Sequence, residues 1–330
     1  MKRVAIIGTG LSGLSVAHLL STRAEIILFE RARGVGGRIS TRRAAPYFFD
    51  HASQYFKVKS RSFKHFISPL IDSGIIKRWN ARYVKFDSNK ITERKNWIDD
   101  EPRYVGVPGM NSIALYLAKS LKIYLNTTIV SIQKKRKWEL IDETGNIFDN
   151  FDWVISTVPA PQVSELMPNS FLYSKEIKSI KMKPGYSLML GFKNDLSLNF
   201  DAAQVLNSDI SWIAVNSQKP GRAGPFTLMI NASEKFSEAH IFAEKPEVMK
   251  RLIVETSYVI GHDLSSADYK TVHGWRYANV AKVEKQPIFV DEVKKLAVCG
   301  DWCCGGMVEG AFTSANNLVS KLKENELSCL

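Results

Sequence analysis

Continuous apolar runs alternate with helical patterns along this chain, and their order predicts an α/β fold. Residues 3–8 (RVAIIG) form a continuous apolar run, as expected for a parallel strand buried on both faces. A helical pattern and a second strand, residues 25–30 (EIILFE), come next. Near the far end, residues 296–301 (LAVCGD) predict another short buried strand, and residues 308–322 have the amphipathic pattern of a helix.

The middle of the chain predicts further helices and a larger sheet. Residues 60–73 are typical of a helix, residues 77–94 of a pair of polar strands, and residues 105–121 of a turn followed by a helix. Residues 183–273 alternate in strand fashion, which predicts a mixed β-sheet. The sequence has no internal repeat and no low-complexity linker, so two domains are expected to be interwoven rather than arranged in series.

Gly8, Gly10 and Gly13 fit the pattern G-x-G-x-x-G between the first strand and the first helix, and Glu30 ends the second strand. This is the context in which the pattern binds a dinucleotide. The first glycine permits a tight turn, the second lets a pyrophosphate approach the backbone, and the third allows close packing of helix on strand. The helix start then directs its free N–H groups at the phosphates, and Glu30 accepts hydrogen bonds from a ribose. The sequence contains no second such motif and no P-loop, which excludes a separate NAD(P)H domain.

Composition narrows the function classes. Hydrophobic residues make up 45% of the chain and charged residues 24%, which excludes a disordered or collagen-like protein. No apolar run reaches the roughly 18 residues that a membrane-spanning helix needs. Glycines interrupt the apolar stretch after Lys2 and Arg3, so we expect a cytoplasmic protein without a signal peptide. Cys299, Cys303 and Cys304 form no C-x-x-C pair and have no nearby histidine, which predicts reduced thiols and no metal site.

Further motifs indicate the family that the chain resembles. Residues 31–43 (RARGVGGRISTRR) add a second glycine-rich loop directly after the second strand, and residues 50–56 are DHASQYF. Residues 216–222 (NSQKPGR) and 273–278 (HGWRYA) lie far along the chain. Together with LAVCGD and the helix after it, these segments resemble the renalase group of the FAD-dependent amine oxidase superfamily. Ala52 stands where that group has a glycine.

The resemblance implies an α/β fold in which a Rossmann-type FAD-binding domain is interwoven with a substrate domain built on a mixed β-sheet. This is the architecture of p-hydroxybenzoate hydroxylase and the amine oxidases. On this basis the FAD-binding domain is expected in residues 1–60, 105–165 and 280–330, and the substrate domain in residues 61–104 and 166–279.

The resemblance also assigns residues to FAD. Asp301 is expected to bind the ribityl chain and the backbone of Ile129 the adenine, while the N–H groups that open the last helix face the pyrimidine side of the flavin. That helix start would stabilise an anionic reduced flavin. No cysteine precedes Cys299, so FAD is expected to be bound non-covalently. The full set of expected FAD-binding residues is Gly8, Gly10, Leu11, Ser12, Gly13, Glu30, Arg31, Gly37, Arg38, Gln54, Ile129, Thr157, Gly300, Asp301, Val308 and Glu309.

By the same resemblance, the HGWRYA and NSQKPGR segments are expected at the substrate. Trp275 is expected to stack on it, with Arg276 or Tyr277 in support, and Asn216 to offer its amide to a carboxamide. Trp275, Tyr277 and Asn216 are therefore the expected catalytic residues. The alternative is that Trp275 and Tyr277 belong to the hydrophobic core and do not contact the substrate.

Two further groups of polar residues, one in NSQKPGR and one in DHASQYF, are expected to have no direct part in catalysis. Lys219 and Arg222 lie in a P-G turn and are expected to be solvated charges, with phosphate binding as the alternative. His51 beside Asp50 is interpreted as a structural histidine, with a proton relay as the alternative.

The resemblance implies oxidation of dihydronicotinamide dinucleotides that are reduced at ring position 2 or 6. Hydride would pass to flavin N5, and dioxygen would reoxidise the flavin and release hydrogen peroxide. Because the nicotinamide becomes aromatic on oxidation, nothing has to be deprotonated, and a dry, stacked pocket suffices. The expected partners are this small molecule and dioxygen.

Three other functions stay open. An amine oxidase or a carotenoid-type desaturase would use the same cofactor. A flavin-free escort protein, similar to the GDP-dissociation inhibitors, would share the fold, although the intact glycine motif argues against it. The formal positive charge is the only feature that suggests nucleic-acid binding, because the sequence contains no recognisable nucleic-acid-binding motif.

The charge excess is concentrated where the dinucleotide is expected. The chain has 45 Lys and Arg against 33 Asp and Glu, a formal charge of +12. Residues 1–60 contain ten Lys and Arg and three acidic residues, a net charge of +7. This distribution favours anionic small molecules as ligands over nucleic acid or a membrane surface.

Overall fold

The computed structural model of the chain describes residues 1–281 and 287–325. The chain divides into two compact units, and each unit is assembled from separate segments. The first unit consists of Met1–Gly37, Ala114–Met182 and Val280–Leu330, and the second of Arg38–Ile113 and Lys183–Asn279.

Strands and helices are numbered along the chain. The strands are β1 (Lys2–Ile7), β2 (Ala24–Phe29), β3 (Thr41–Ala44), β4 (Tyr47–Asp50), β5 (Ile76–Arg78), β6 (Arg82–Asp87), β7 (Lys90–Asn96), β8 (Tyr104–Gly106), β9 (Lys122–Tyr124), β10 (Ile129–Lys134), β11 (Trp138–Asp142), β12 (Ile147–Phe151), β13 (Trp153–Ser156), β14 (Met182–Phe192), β15 (Ala202–Leu206), β16 (Ile210–Val215), β17 (Phe226–Ala232), β18 (Tyr269–Val280), β19 (Phe289–Asp291) and β20 (Leu296–Val298). The α-helices are α1 (Leu11–Leu20), α2 (Arg61–Asp72), α3 (Asn111–Ala118), α4 (Ala160–Leu166), α5 (Ser174–Ser179), α6 (Glu234–Ala239), α7 (Lys245–Ile260) and α8 (Met307–Asn325).

The first unit is built on a six-stranded sheet with the order β19-β20-β13-β1-β2-β9. The strands from β20 to β9 are parallel, and β19 pairs with β20 in the antiparallel sense. Val4 to Ile7 on β1 are all buried. The prediction of a parallel strand buried on both faces is thus confirmed.

Parallel pairing brings the carboxyl ends of β1, β13 and β20 to one edge of this sheet. Ile7 pairs with Ser156, and Ser156 pairs with Val298, so the residues that follow each strand become neighbours. The glycine motif and LAVCGD, which are almost three hundred residues apart in sequence, therefore lie at the same edge. Ligands of open α/β sheets bind at this edge.

The second unit is built on a seven-stranded sheet with the order β18-β14-β17-β16-β15-β6-β7. Strand β15 runs parallel to β6, whereas β14, β16, β17 and β7 form antiparallel pairs, so the predicted mixed sheet is confirmed. Its core includes Leu188, Leu228 and Ile230, which are fully buried.

Within residues 183–273, the prediction of strands alone is wrong, because α6 and α7 lie there. Pro246 occupies the first turn of α7, and Gly261 ends the helix in the left-handed region (φ 69°). Val248, Leu252 and Val259 recur at helical spacing and are buried, which fixes this segment as an amphipathic helix.

Other predicted elements agree with the structure. Helix α2 matches the helix expected in residues 60–73, and Ser60 Oγ caps it by accepting from Phe63 N (3.2 Å).

Residues 38–60 and 105–113, which were expected in the FAD-binding domain, lie in the second unit. None of the helices in the described part of the chain is long and apolar enough to cross a membrane. The described residues also contain no cluster of His, Cys, Asp and Glu suited to a metal ion.

Candidate functional site

The turn between β1 and α1 places the glycine motif at the carboxyl edge of the parallel sheet. Gly8 N donates to Phe29 O (2.8 Å), which ties the turn to the end of β2. A side-chain carbon on Gly13 would lie 2.1 Å from Gly8 O, so glycine is required for α1 to pack this closely on β1. On Gly10 the same carbon would meet no atom of the described residues within 4 Å, its two chain neighbours excepted. Gly10 is also the N-cap of α1 and adds no side-chain cap, so a ligand can approach the helix start.

The second glycine-rich loop lies directly against the first. Gly36 N donates to Thr9 O (2.9 Å), and Gly36 forms a parallel bridge with Gly10. A side-chain carbon on Gly37 (φ +51°) would lie 3.4 Å from Gly10 Cα. Arg31 is exposed on the same segment. The two loops thus form one backbone surface, which we call the glycine cradle (residues 8–13 and 34–37).

Glu30 is fixed beside the glycine cradle by backbone and side-chain donors. Its Oε2 accepts from Thr9 N (3.0 Å) and Thr9 Oγ1 (2.7 Å), and its Oε1 accepts from Ala32 N (2.9 Å). A carboxylate offers about four lone-pair sites. The half-buried Glu30 therefore keeps capacity for a further donor such as a ribose hydroxyl.

Residues after β13 and β20 complete this edge of the sheet. Thr157 Oγ1 donates to Ile7 O (3.0 Å) and Gly8 O (3.1 Å), and so steadies the glycine turn. Gly300 N donates to Ser314 Oγ (3.1 Å). Asp301 is buried and begins a 3-10 helix (Asp301–Cys304); the strand β20 ends at Val298, before the Gly-Asp pair with which it was expected to end.

A hydrogen bond joins the first turn of α1 to the second turn of α8. Ser12 Oγ donates to Ala311 O (3.0 Å), so this hydroxyl is engaged within the protein. Val308 is buried and Glu309 is half-buried in the first turn of α8. Ile129 begins β10, and its side chain belongs to the core of the first unit.

These features fit a dinucleotide such as FAD. An anion at Gly10 would meet the positive dipole end of α1, at a position where a side-chain carbon would find open space among the described residues. The residues that would hold the cofactor are those of the glycine cradle together with Glu30 and Asp301. The function of each individual residue stays a prediction.

The second unit contains a buried ion cluster centred on Asp50, the last residue of β4. Asp50 Oδ2 lies 2.5 Å from Arg222 Nη2 and 3.3 Å from Lys219 Nζ. The side chains of Asp50 and Lys219 are 0% exposed and that of Arg222 is 5% exposed. Asp50 Oδ1 accepts from Thr41 Oγ1 (2.8 Å) and Met110 N (2.9 Å). The prediction that Lys219 and Arg222 are solvated is therefore wrong, because the turn that carries them folds inward onto a buried carboxylate.

The charges of this ion cluster do not cancel. Burial alone would raise the pKa of Asp50, but Lys219 and Arg222 outweigh it and lower that pKa to about 2. Burial lowers the pKa of Lys219 to about 8, against the attraction of Asp50. At neutral pH the ion cluster thus contains two cations and one carboxylate, a net charge of +1. Its field repels a cationic ligand and attracts an anionic one.

Three predicted site residues have side chains engaged within the second unit. Gln54 Nε2 donates to Asp50 O (2.6 Å), and its Oε1 accepts from Lys219 Nζ (3.1 Å). Arg38 Nη1 donates to Ala278 O (3.1 Å). The buried Asn216 amide bonds to the backbone of β4 through both its nitrogen (2.9 Å) and its oxygen (3.4 Å). Each of these three side chains therefore forms hydrogen bonds that stabilise the second unit.

The aromatic residues of HGWRYA lie beside His51. Strand alternation places His273, Trp275 and Tyr277 on one face of β18 and the exposed Arg276 on the other. Trp275 Nε1 donates to His51 O (3.1 Å). The Trp275 ring centre lies 5.1 Å from that of His51 and 4.4 Å from that of His273. The structure therefore gathers Trp275 and the two histidines into one aromatic group.

Both histidines of this group are held neutral. Burial lowers the pKa of His51 to about 4, and repulsion from the protonated form of His273 and from Arg42 acts in the same direction. Burial also lowers the pKa of His273. With so low a pKa His51 is a weak base, which disfavours the proton-relay alternative.

Sequence reasoning missed a second aromatic group in the same unit. The ring of Trp97 stacks on that of Trp212 (6.1 Å) and meets the edge of Trp79 (5.3 Å). The Arg103 guanidinium lies 4.1 Å from the centre of the Trp97 ring, and Lys219 Nζ lies 5.4 Å from that of Trp79. These residues come from separate segments, and the signal in the sequence was the presence of Trp79 and Trp97 in a segment rich in charged residues.

Comparison with known proteins gave matches along the whole chain. The model of the NAD(P)-binding Rossmann-like domain matches residues 6–70, and that of the flavin containing amine oxidoreductases matches residues 78–320. Renalase from Mus musculus is 26% identical over 354 aligned positions, which cover 98% of this chain and 99% of that protein.

Two solved structures are similar in fold. A proposed protoporphyrinogen oxidase from Exiguobacterium has a TM-score of 0.77 at 13% identity, with 98% of this chain and 99% of that chain covered. Putrescine oxidase bound to putrescine has a TM-score of 0.74 at 13% identity and the same coverage. The predicted fold class is thereby confirmed.

Proposed function

Because this chain belongs to the flavin containing amine oxidoreductase family, we propose that it is an FAD-dependent oxidase of dihydronicotinamide dinucleotides reduced at ring position 2 or 6. Membership of the family implies a flavin cofactor and an oxidoreductase activity. The finer statements, that FAD is held non-covalently and that dioxygen is the acceptor, belong to the proposal. When bound, FAD would take a hydride from the substrate and pass the electrons to dioxygen, giving NAD(P)+ and hydrogen peroxide.

The observation that carries the choice of substrate is the net positive ion cluster beside a neutral aromatic group. Asp50 is neutralised by Lys219 and Arg222 with one cation in excess, and its neighbour His51 is uncharged at neutral pH. An ammonium group would be repelled by this arrangement. A dinucleotide with anionic phosphates and an uncharged dihydronicotinamide ring would be favoured by it.

The residues of the chain would position the ring rather than move a proton. Trp275 is held by its bond to the His51 carbonyl and would stack on the nicotinamide. The ring becomes aromatic when it loses a hydride, so no general base is required. The low basicity of His51 suits this reaction.

Peroxide release distinguishes this proposal from amine oxidation. We would supply the purified, FAD-loaded protein with 2- or 6-dihydro-NAD(P), with ordinary NAD(P)H, or with putrescine, and measure hydrogen peroxide in air. The proposal expects rapid release with the first substrates only. Peroxide released chiefly by putrescine would overturn it.

Amine oxidation is the second candidate, and the family model and the putrescine-bound relative favour it. An amine substrate would have to bind as the neutral amine to avoid repulsion by the ion cluster. Its rate would therefore rise steeply with pH towards the pKa of the amine. A pH-independent rate with amines would argue against this candidate.

A further inference from the structure

A cavity of about 220 Å³ lies in the first unit, at the edge of the sheet opposite the glycine cradle. We call it the amino-edge pocket, because its walls include Lys2 at the start of β1, Trp153 at the start of β13 and Lys295 just before β20. These strands are parallel, so their amino ends meet at one edge and their carboxyl ends at the other. The amino-edge pocket is thus separate from the residues that would hold FAD.

The walls of the amino-edge pocket are tied together by hydrogen bonds. Trp138 Nε1 donates to Lys294 O (2.8 Å), which fastens the β10–β11 hairpin to the turn before β20. Val154 N donates to Lys295 O (3.1 Å). Asp152 Oδ2 accepts from Arg3 N (2.8 Å). Four segments that are distant in sequence therefore hold the pocket in a formed state, which lowers the entropic cost of binding a ligand.

Positive charge dominates this pocket. Its lining contains one carboxylate, Asp152, and five cationic residues: Lys2, Lys134, Arg136, Lys137 and Lys295. Lys137 Nζ pairs with Asp152 at 3.2 Å. The lining as a whole has five positive charges against one negative charge, a net of +4.

The cations of the pocket repel one another. Burial lowers the pKa of Lys295, and the charges of Lys2 and Lys134 lower it further, while Glu292 opposes them. Among residues 1–281 and 287–325, no carboxylate lies in ion-pair contact with Lys134 or Arg136. A multiply charged anion would relieve this repulsion.

We propose that the amino-edge pocket binds the diphosphate or triphosphate group of a small molecule. Several cationic side chains line the pocket, so a multiply charged anion is attracted to it more strongly than a single carboxylate or a monovalent anion. Lysine ammonium groups bind phosphates as point charges, without the planar geometry that arginine imposes. These cationic residues line one pocket, whereas a nucleic-acid backbone requires an extended basic surface.

The test is a calorimetric titration of the FAD-loaded protein at constant ionic strength. Inorganic pyrophosphate and ADP are the two probes, and they distinguish a free polyphosphate from a nucleotide. The test variant is Lys134→Gln/Arg136→Gln, whose two positions are exposed in the hairpin. The matched control is Lys235→Gln/Lys250→Gln, which removes the same charge from exposed positions of α6 and α7 in the second unit.

We expect one equivalent of pyrophosphate, or of ADP if the natural ligand is a nucleotide, to bind to the wild-type protein and to the control. Binding to the test variant should be at least about tenfold weaker. The visible spectrum of the flavin should not change during the titration, because the ligand does not displace FAD. The proposal is overturned if the three proteins bind equally, if no probe binds, if FAD is released, or if a DNA duplex binds more tightly than pyrophosphate.

Discussion

The glycine cradle of the first unit and the ion cluster of the second unit handle charge in opposite ways. The cradle consists of backbone from two nearby loops and leaves a helix start open to a ligand. The ion cluster consists of side chains from residues 50, 219 and 222 and is closed to solvent. In an open site of this kind the ligand supplies the opposite charge, whereas the buried charges of a closed site depend on partners within the protein. Substitutions should therefore impair binding in the first unit and stability in the second.

The largest effect is expected from Asp50→Asn. This change leaves Lys219 and Arg222 buried without their carboxylate, so the free energy of unfolding should fall by about 3–5 kcal/mol, measured by chemical denaturation. The matched control is Glu247→Gln, which breaks an exposed pair with Arg251 (2.7 Å, side chains 53% and 54% exposed). It should cost no more than about 0.5 kcal/mol. Equal small losses in both variants would contradict the account of the ion cluster.

The next largest effect is a difference in stability between substitutions at Gly13 and at Gly10 of the glycine cradle. Gly13→Ala places a carbon 2.1 Å from Gly8 O and should destabilise the protein by about 3 kcal/mol. Gly10→Ala places its new carbon in open space among the described residues, so its free energy of unfolding without FAD should change by less than about 0.5 kcal/mol. Its affinity for FAD should nevertheless fall about tenfold, measured by fluorescence titration. Unchanged FAD affinity in Gly10→Ala would show that the cofactor does not approach the cradle.

A smaller effect concerns the pH dependence of stability. The pKa of His51 is about 4 in the folded protein, mainly because of burial, against an ordinary value of 6.5. Between these values the unfolded chain binds more protons, so stability falls as the pH falls. From pH 6.5 to pH 5 the loss should be about 1.5 kcal/mol. His51→Asn should reduce this slope, whereas the exposed His65→Asn should retain it; identical slopes in all three proteins would refute the assignment.

The smallest effect is expected at Trp275. Trp275→Leu removes a stacking surface worth about 1 kcal/mol, so KM for the dihydronicotinamide substrate should rise several-fold while kcat and FAD content stay close to the wild-type values. Trp275→Phe keeps a ring and should restore most of the loss. Arg276→Ala, on the opposite face of β18, is the control. If Arg276→Ala raised KM as much as Trp275→Leu, the proposed position of the substrate would be wrong.

The contrast between the two regions also explains why the sequence predicted the glycine cradle but not the ion cluster. The glycine cradle depends on residues close together in the chain, so spacing alone predicted its turn, its helix and the placement of Glu30. The ion cluster joins residues that are 169 and 172 positions apart, and no local pattern marks Lys219 or Arg222 as buried. The expectation that Asn216 lies at the substrate came from the family resemblance, and its bonds to β4, which is 166 to 168 positions away, could not be predicted from a local pattern. Helix α7 was missed although Pro246 and Gly261 mark its two ends.

Anaerobic reduction of the bound flavin tests the central claim most directly. The FAD-loaded protein is mixed rapidly with 2- or 6-dihydro-NADP, or with ordinary NADPH, and the loss of visible flavin absorbance is followed. We predict that the isomers bleach the flavin many times faster than NADPH does. Equal rates with the two kinds of dinucleotide would contradict the account.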